Sequence, residues 1–424
     1  MNIKPTFSAI LLDSGGGWMQ GASQQGSLQG EGSFVIFGKP AFSISLEGGT
    51  VTVTLPQRRF ITCQNPLSLL EGYLEEGYVA IGYLGYGFSR FTEEGFIPSR
   101  KKEGDLLPDV FFHFFRKEDG VSGRLQDLGG LIKAGFGEDA LCASGVGEAP
   151  CRIRSNMTKD EYIEMVRRAK DYIAGGDVYQ VNLSQRFTAT LGFSPLSYFL
   201  NLYGVQPVPF GCYMDFGEFQ LISGSMELFL RKTGRKLITK PIKGTRSRGY
   251  TSESDAILKA ELRGSEKERA ENLMIVDLMR NDLGRVCGYG TVRVNSLFDI
   301  ESYSTLHQMV SEIEGHIGPE VGIGDIIVAT FPPGSVTGAP KRRALEIIDE
   351  LEPHLRGPYC GALGVFMPDG DFTLSVAIRV LIAKKGRGVF WTGSGIVWDS
   401  DPDKEYEETL VKARAIKKAL GVTE

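Results

Sequence analysis

A lysine and a glutamate lie where their side chains could do covalent chemistry. Lys243 lies in "ITKPIKGTRSRG", where a predicted strand ends at a Gly-Thr turn, and Glu227 lies in "ISGSMELFL", on the other strand of the same predicted hairpin. Alternate side chains of a strand point to opposite faces, so Lys240 and Lys243 cannot both face solvent. An amine kept from water and near other cations can have its pKa lowered until it becomes a nucleophile, and a neighbouring carboxyl group can act as a general acid. Residue type alone favours the alternative, a solvated lysine in a basic cluster.

Two predicted helices each carry a Glu-x-x-Glu pair that could hold a metal ion. Glu268 and Glu271 lie in "GSEKERAENLMIVDLMRNDLG", a helix that is apolar on nearly every side, and Glu405 and Glu408 lie in "SDPDKEYEETLVKARAIKKAL". Most pairs of this kind lie on a solvated helix face, and that alternative suits Glu405 and Glu408 taken alone. An ionised carboxylate in an apolar helix needs a counter-charge or a metal. If the two pairs met, their oxygens would suit Mg²⁺, which binds few carboxylates and keeps waters and substrate oxygens as its other ligands.

Three further segments could receive an anionic ligand. The Gly-rich loop of "FPPGSVTGAPKRRALEIIDELE" enters a helix near Pro340, where free backbone N–H groups attract anions. Gly393 and Gly395 end a strand, where backbone amides can approach a ligand closely. Arg379 interrupts the apolar strand "SVAIRVL", which indicates either a bound carboxylate or a buried structural ion pair. The Gly-rich loop lacks the spacing of a P-loop, so nucleotide binding is the weakest interpretation.

Composition excludes several classes of protein. The chain has 424 residues, of which 42% are hydrophobic and 23% charged, and its net charge of −5 argues against a nucleic-acid or membrane-surface partner. No apolar run approaches the ~20 residues of a spanning helix, and the first residues lack the apolar core of a signal peptide, so we expect a cytoplasmic protein. The six cysteines include no C-x-x-C pair, which predicts reduced thiols and argues against a zinc site or a disulfide frame.

The elements that must position these residues read as strands with interspersed helices. Residues up to about 150 are strand-rich, and residues 134–155 read as a loop between two subdomains. Thr158 and Glu161 then form a capping box that begins a helix, which ends at Gly175. Further strand meanders follow, so the pattern favours an α+β fold over regular βαβ alternation.

Together these segments resemble the chorismate-binding enzymes, a family that includes anthranilate synthase, aminodeoxychorismate synthase, isochorismate synthase and salicylate synthase. The resemblance is dense from about residue 155 to 417, through "GDVYQVNLSQRF", "PIKGTRSRG", "AENLMIVDLMRNDLGRVC", "LHQMVSEIEG" and "GSGIVWDSDPDKEYEET". It is fainter at the N-terminus, through "AILLDSGGG" and "IGYLGYGF". The resemblance implies a two-subdomain sandwich of large antiparallel sheets flanked by helices. Residues 1–150 would form the N-terminal subdomain and residues 151–424 the chorismate-binding catalytic domain.

Within that family, the position of Lys243 separates activities. Anthranilate synthases have alanine there, whereas "PIKGT" resembles the branch that aminates chorismate at C4 for p-aminobenzoate and folate biosynthesis. The resemblance implies that Lys243 attacks C2 while Glu227 protonates the departing C4 hydroxyl, after which ammonia adds at C4 and expels the lysine. Gln180 stands where the water-adding members have a lysine base, which disfavours water addition. The alternatives are anthranilate synthase component I, which Lys243 disfavours, and a non-catalytic ligand-binding protein, which the intact set of reactive and metal-binding positions disfavours.

The resemblance also assigns roles to the other site residues. Glu271 and Glu408 would bind Mg²⁺ directly, with Glu268 and Glu405 acting through water. The remaining assignments are Arg379 and Tyr359 for the enolpyruvyl carboxylate, Thr245, Ser335, Gly393 and Gly395 for the ring end, and His307 near the reacting C4. Met226 and Val365 replace a proline and a tyrosine that are frequent in the family.

Two partners follow from the resemblance as expectations. No segment has the G-x-C-x-G nucleophile turn of an amidotransferase, so ammonia is expected from a separate glutamine amidotransferase subunit. The "LLDS" stretch resembles a segment that forms a tryptophan pocket in relatives, which makes tryptophan a candidate ligand of the N-terminal subdomain.

Overall fold

Two large antiparallel sheets organise the computed structural model, which describes residues 8–13, 18, 33–98, 107–124, 127–128, 151–303 and 306–422. The strands, in chain order, are β1 (Ala9–Asp13), β2 (Ser33–Phe37), β3 (Phe42–Glu47), β4 (Thr50–Thr54), β5 (Arg59–Thr62), β6 (Tyr78–Leu84), β7 (Val110–Arg116), β8 (Gly120–Arg124), β9 (Ile153–Ser155), β10 (Gln180–Thr190), β11 (Phe210–Asp215), β12 (Gln220–Ser225), β13 (Leu228–Thr233), β14 (Lys236–Lys240), β15 (Ile242–Ser247), β16 (Arg293–Ser302), β17 (Leu306–His316), β18 (Gly338–Ala339), β19 (Ala362–Phe366), β20 (Phe372–Val376), β21 (Val380–Lys384) and β22 (Arg387–Ile396).

Helices accompany the sheets in the described ranges. They are α1 (Pro66–Glu75), α2 (Ser89–Thr92), α3 (Lys159–Ala174), α4 (Pro195–Val205), α5 (Ser252–Gly264), α6 (Glu266–Gly284), α7 (Ile323–Thr330), α8 (Lys341–Leu351) and α9 (Pro402–Ala419). The predicted capping box is confirmed, because Thr158 accepts from the backbone of Glu161 and the Glu161 side chain accepts from the backbone of Thr158. The predicted start of a helix near Pro340 is confirmed, because Pro340 is the N-cap of α8.

Over the residues that the structure describes, the first sheet has ten strands and the second has twelve. Their orders are β18-β10-β22-β21-β12-β11-β1-β2-β8, with β9 also paired to β10, and β15-β17-β14-β13-β20-β19-β6-β7-β3-β4-β5, with β16 also paired to β17. The predicted α+β class with large antiparallel sheets is therefore confirmed.

Both sheets mix strands from the two predicted subdomains. In the first sheet β1 pairs with β11, and in the second sheet β6 pairs with β19. The segments before and after the predicted boundary at residue 150 are thus hydrogen-bonded together within each sheet. The boundary itself lies next to residues 129–150, outside the described residues, so the division into two subdomains stays a prediction.

Two chain crossings between the sheets differ from the predicted continuous strands. The segment "QLISGSMELFLRK" divides into β12 of the first sheet and β13 of the second, with Met226 and Glu227 between them. Likewise β20 and β21 belong to different sheets, and Arg379 lies between them with φ of +50°. The crossings bond to each other, because the Val376 N–H donates to the Glu227 carbonyl at 3.0 Å and the Gly224 N–H donates to the Arg379 carbonyl at 3.1 Å. The two crossings, each of which carries a predicted site residue, therefore lie against each other.

Aromatic side chains pack much of the N-terminal part of the second sheet. Phe42 stacks on Phe114 with ring centroids 4.6 Å apart. The Tyr73 ring packs against both, and the Tyr78 ring packs against Phe42. Such aromatic clusters add packing energy to the area they bury. None of the described helices is long and apolar enough to cross a membrane.

Candidate active site

Lys243 is the inward-pointing member of the predicted lysine pair. The Lys240 amine lies 2.8 Å from a Glu312 carboxylate oxygen, whereas the Lys243 amine donates to the Ser335 carbonyl at 3.2 Å. Among the described residues, no carboxylate comes within ion-pair distance of Lys243. Burial lowers the pKa of Lys243, an effect that Glu271 opposes. A neutral amine at this position can act as a nucleophile.

Glu227 lies beside this amine at the crossing from β12 to β13. Its side chain is buried, and burial raises the pKa of Glu227 to about 7, against the opposing effects of a hydrogen bond from Ser335 and the charge of Lys243. A carboxyl group with a pKa near neutrality keeps a proton that it can donate. The pair therefore joins a potential nucleophile to a potential general acid.

The four predicted metal ligands lie on α6 and α9. Burial raises the pKa of Glu271. The positive charges of Lys243 and Lys267 act against this rise, and the negative charges of Glu268 and Glu408 add to it. Because Glu271 responds to both of these carboxylates, negative charge from two helices converges on one space.

The other carboxylates of this set have local partners. Partial burial acts to raise the pKa of Glu408. The Lys412 amine, 2.7 Å from the carboxylate, outweighs this effect and leaves the pKa of Glu408 below its ordinary value. Glu268 is 3.4 Å from Arg246, and Glu405 accepts a hydrogen bond from the Ser400 hydroxyl at 2.7 Å.

The donor set fits Mg²⁺ better than a metal that needs a complete protein cage. Over the ranges given above, no three His, Cys, Asp or Glu side chains come together as a metal-binding group. Glu271 and Glu408 would supply two hard oxygen ligands, and Mg²⁺ commonly takes its remaining ligands from water and substrate. The metal assignment stays a prediction.

Arg379 has no carboxylate partner among the described residues. Its guanidinium donates to the side-chain oxygen of Gln206, and burial lowers the pKa of Arg379 to about 10. The described residues therefore do not form the structural ion pair that was the alternative for Arg379. A half-buried arginine without a counter-charge is suited to receive an anionic ligand.

Gly393 and Gly395 let β22 lie close to the Tyr359 hydroxyl and the Lys243 amine. A Cβ at Gly395 would lie 2.8 Å from the Gln180 Nε2 atom and 3.4 Å from the Lys243 amine, and a Cβ at Gly393 would lie 3.1 Å from the Tyr359 hydroxyl. Any side chain at these positions would occupy the space around the amine and the hydroxyl. The structure thus brings both predicted glycines, Tyr359 and Lys243 together.

The three remaining predicted residues differ in placement. Ser335 contacts both reactive groups, through its carbonyl to Lys243 and its hydroxyl to Glu227. Thr245 is exposed on β15, the strand that carries Lys243. His307 is buried with both ring nitrogens engaged, Nδ1 with the Ser302 hydroxyl at 2.8 Å and Nε2 with Asp255 at 2.9 Å. Its predicted catalytic role is not tested by this geometry.

Sequence reasoning missed Lys412, a second amine close to the site. Its Nζ atom donates to the Gly393 carbonyl at 3.0 Å, and its charge lowers the pKa of Lys243 further, after burial and against Glu271. The available signal was the spacing of Glu408 and Lys412, which places a carboxylate and an amine on one helix face.

Sequence reasoning considered Gln180 only as the replacement of a lysine base, and it missed the other buried amides that have unpaired atoms. The unpaired amide atoms within the described part of the chain are Gln180 Nε2 and Oε1, Asn182 Nδ2, Asn272 Nδ2 and Gln308 Oε1. Buried polar atoms are normally hydrogen-bonded, so such a group indicates space for a polar ligand.

Two other features lie away from these residues. A cavity of about 690 Å³ is lined by Tyr86, Arg90, Arg356 and their neighbours, and none of its lining residues is a predicted site residue.

Near the "LLDS" segment, the chain's own Trp18 is buried, and its indole N–H donates to the Gly211 carbonyl at 3.1 Å. Tryptophan binding stays a prediction.

Comparisons with known proteins give a consistent family. Residues 10–418 match the model of the chorismate binding enzymes. Over 268 residues the chain is 46% identical to "Aminodeoxychorismate synthase component 1" of Bacillus subtilis (strain 168), covering 63% of this chain and 57% of that protein. Over 273 residues it is 44% identical to "Anthranilate synthase component 1" of Thermus thermophilus, covering 64% of this chain and 59% of that protein. The matched region thus spans less than two thirds of the length of these curated relatives.

A solved structure extends the likeness over nearly the whole chain. Anthranilate synthase component I from Streptococcus pneumoniae TIGR4 superposes with a TM-score of 0.77 at 29% identity, covering 94% of both chains. The predicted anthranilate synthase component I-like fold is therefore confirmed.

Proposed function

This chain belongs to the chorismate-binding enzymes, and we propose that it aminates chorismate at C4 through a covalent adduct with Lys243, using ammonia from a separate glutamine amidotransferase subunit. The observation that carries the proposal is a half-buried amine with no ion-pair partner in the described structure, placed beside the buried acid Glu227. The two curated relatives carry different names at nearly equal identity, so overall similarity does not choose between the activities. The product would serve p-aminobenzoate and folate biosynthesis.

The first step joins the enzyme to the substrate. The lone pair of Lys243 forms the Nζ–C2 bond, the two ring double bonds shift by one position, and the C4–O bond breaks. Glu227 donates its proton to the departing oxygen, which leaves as water. This division replaces one difficult substitution by two easier ones.

The second step releases the product. Ammonia forms the N–C4 bond, the double bonds shift back, and the C2–Nζ bond breaks with its electron pair returning to Lys243. The surplus proton of the new C4 ammonium group returns to Glu227. The sum is chorismate and ammonia giving 4-amino-4-deoxychorismate and water, with the enolpyruvyl group intact.

The other side chains would hold the substrate during both steps. Arg379 would bind the enolpyruvyl carboxylate with its guanidinium, which has no carboxylate partner among the described residues, and the Tyr359 hydroxyl beside Gly393 would contact the same group. Glu271 and Glu408 would hold Mg²⁺, which when bound would neutralise the ring carboxylate and polarise the ring. His307 stays a candidate catalytic residue near C4.

Mass spectrometry of the products tests this function. Purified protein is given chorismate, Mg²⁺ and ammonium, beside a Lys243→Ala variant and a Lys240→Ala control, whose lysine pairs with Glu312 at the surface. The expected product carries an amine in place of the C4 hydroxyl. The Lys243 variant should lose most of this activity and the control should keep it. Anthranilate with released pyruvate would instead assign the chain to the anthranilate synthase activity, and no turnover of chorismate would favour a non-catalytic protein.

A further inference from the structure

Two neighbouring residues of β17 face opposite directions. His307 and Gln308 are consecutive, so their side chains lie on opposite faces of the strand. The His307 ring is bonded to Asp255 and Ser302, as described above. The Gln308 side chain turns the other way, where its Nε2 atom donates to the sulfur of Met226. Gln308 therefore contacts the residue that directly precedes Glu227.

The remaining polar atom of Gln308 has no partner. The side chain is 2% exposed, and its Oε1 atom has no hydrogen-bond donor in the described structure. In the second sheet, Gln308 of β17 pairs with Thr245 of β15. Thr245 lies two residues after Lys243 on that strand. A buried acceptor without a donor is destabilising, so an acceptor at this place is best explained by a ligand that brings an N–H or O–H group.

We propose that Gln308, and not His307, is the residue of β17 that positions the incoming ammonia at C4. This inference rests on the proposed function, because it assigns a role in the ammonia step of that reaction. The Gln308 carbonyl oxygen accepts one N–H of ammonia. An acceptor of this kind holds the molecule without engaging its lone pair, which stays free to form the bond to C4.

Met226 completes the arrangement from the other side of the amide. Its sulfur accepts from Gln308 Nε2, which fixes the direction of the opposite Oε1 atom. A flexible thioether adapts well to such a position. Met226 and Gln308 thus act as one positioning pair next to the general acid.

Steady-state kinetics with free ammonium test the proposal without the amidotransferase. The variants are Gln308→Met, which keeps the length of the side chain and removes the amide, and His307→Gln, its neighbour on the opposite face. At saturating chorismate and Mg²⁺, the expected result for Gln308→Met is a rise of about tenfold in the KM for ammonia, since one hydrogen bond is lost, with the KM for chorismate unchanged. His307→Gln should leave the KM for ammonia within about twofold of wild type, while any change in its kcat reports the separate catalytic role proposed for His307.

Three outcomes would overturn the assignment. They are an unchanged KM for ammonia in Gln308→Met, a rise confined to the KM for chorismate, and a larger rise in His307→Gln than in Gln308→Met. If Gln308→Met does not fold, Met226→Leu provides the second measurement. It keeps the amide but removes its sulfur acceptor, and should raise the KM for ammonia by about threefold; an unchanged value would again reject the proposal. If wild-type protein forms no aminated chorismate, the proposed function fails, whereas normal amination with unchanged variants rejects only this inference.

Discussion

Lys341 is buried and Lys243 is half-buried, and their two amines have opposite surroundings. The Lys341 amine donates to the Asp282 carboxylate at 2.8 Å and to the Thr330 carbonyl at 2.7 Å. The Lys243 amine donates only to the Ser335 carbonyl among the described residues. A buried cation that serves the fold has its charge neutralised, whereas a buried amine left without a carboxylate lowers stability and is available for chemistry.

The same contrast separates Arg356, which is buried, from Arg379, which is half-buried. Arg356 lies 2.7 Å from the Glu352 carboxylate and also donates to the carbonyls of Val336 and Asn182. Among the described residues, Arg379 has no carboxylate partner, and its guanidinium donates to the Gln206 amide oxygen. Within the described structure, the unpaired members of both comparisons, Lys243 and Arg379, lie on predicted site positions. Pairing with a carboxylate therefore distinguishes structural cations from the proposed functional ones.

The largest expected effect is on folding stability. Lys341→Met should lower the free energy of unfolding by about 3–5 kcal/mol, because it leaves the Asp282 carboxylate buried without a partner. Lys243→Met should leave the free energy of unfolding unchanged or raise it, since it removes an amine that lacks an ion pair. Urea denaturation of both variants measures the difference. Equal losses of stability would show that the two lysines are structurally alike.

The next effect is on catalysis by Glu227. Glu227→Gln keeps the size of the side chain and removes its proton, so kcat for amination should fall by about 10²–10³-fold. In the wild type, the protonated acid is the active form, and the rate should decline as pH rises through the pKa of about 7. A pH–rate profile of kcat measures this limb. A profile that keeps the same alkaline limb in Glu227→Gln, at reduced amplitude, would assign that limb to another group.

Glu227 should also make stability depend on pH. Burial raises the folded-state pKa of Glu227 to about 7, so its contribution is fully present below the ordinary value of 4.5 and is lost as pH rises from there through about 7. Between about pH 5 and pH 8, wild type should lose about 2 kcal/mol of unfolding free energy relative to Glu227→Gln. Urea melts of the two metal-free proteins at both pH values test this. A constant difference would place the pKa of Glu227 near its ordinary value.

Much of the fold and the site could be predicted from local signals. The Thr158 capping box and the hairpin before Lys243 depend on neighbouring residues, and the structure confirms both. Strand alternation predicted that one of Lys240 and Lys243 points inward; the structure places them on the successive strands β14 and β15 and shows that Lys243 is the inward one. These features need no knowledge of distant contacts.

The remaining features depend on contacts that no local pattern encodes. The strand through Glu227 reads as continuous, because β12 and β13 are both apolar, yet they belong to different sheets. Gln308 gives no signal in the sequence, since only its burial and the nearby Met226 sulfur set it apart. Lys412 appeared as one more charge on an amphipathic helix. Contacts between distant parts of the chain determine the crossing at Glu227, the burial of Gln308 and the position of Lys412.

The smallest predicted effect sharpens the arginine comparison. Arg379→Met should raise the KM for chorismate by about tenfold, because a charged hydrogen-bond donor to the substrate carboxylate is lost while no protein carboxylate is left unpaired. Its unfolding free energy should not fall, since a buried charge without an ion pair is removed. Arg356→Met is the matched control, and should instead be destabilised because it leaves Glu352 buried and without its guanidinium partner. Chorismate titrations and urea melts of both variants separate the two roles. A stability loss in Arg379→Met equal to that of Arg356→Met, with no change in KM, would mean that Arg379 belongs to the fold and that a missing carboxylate does not mark the substrate site.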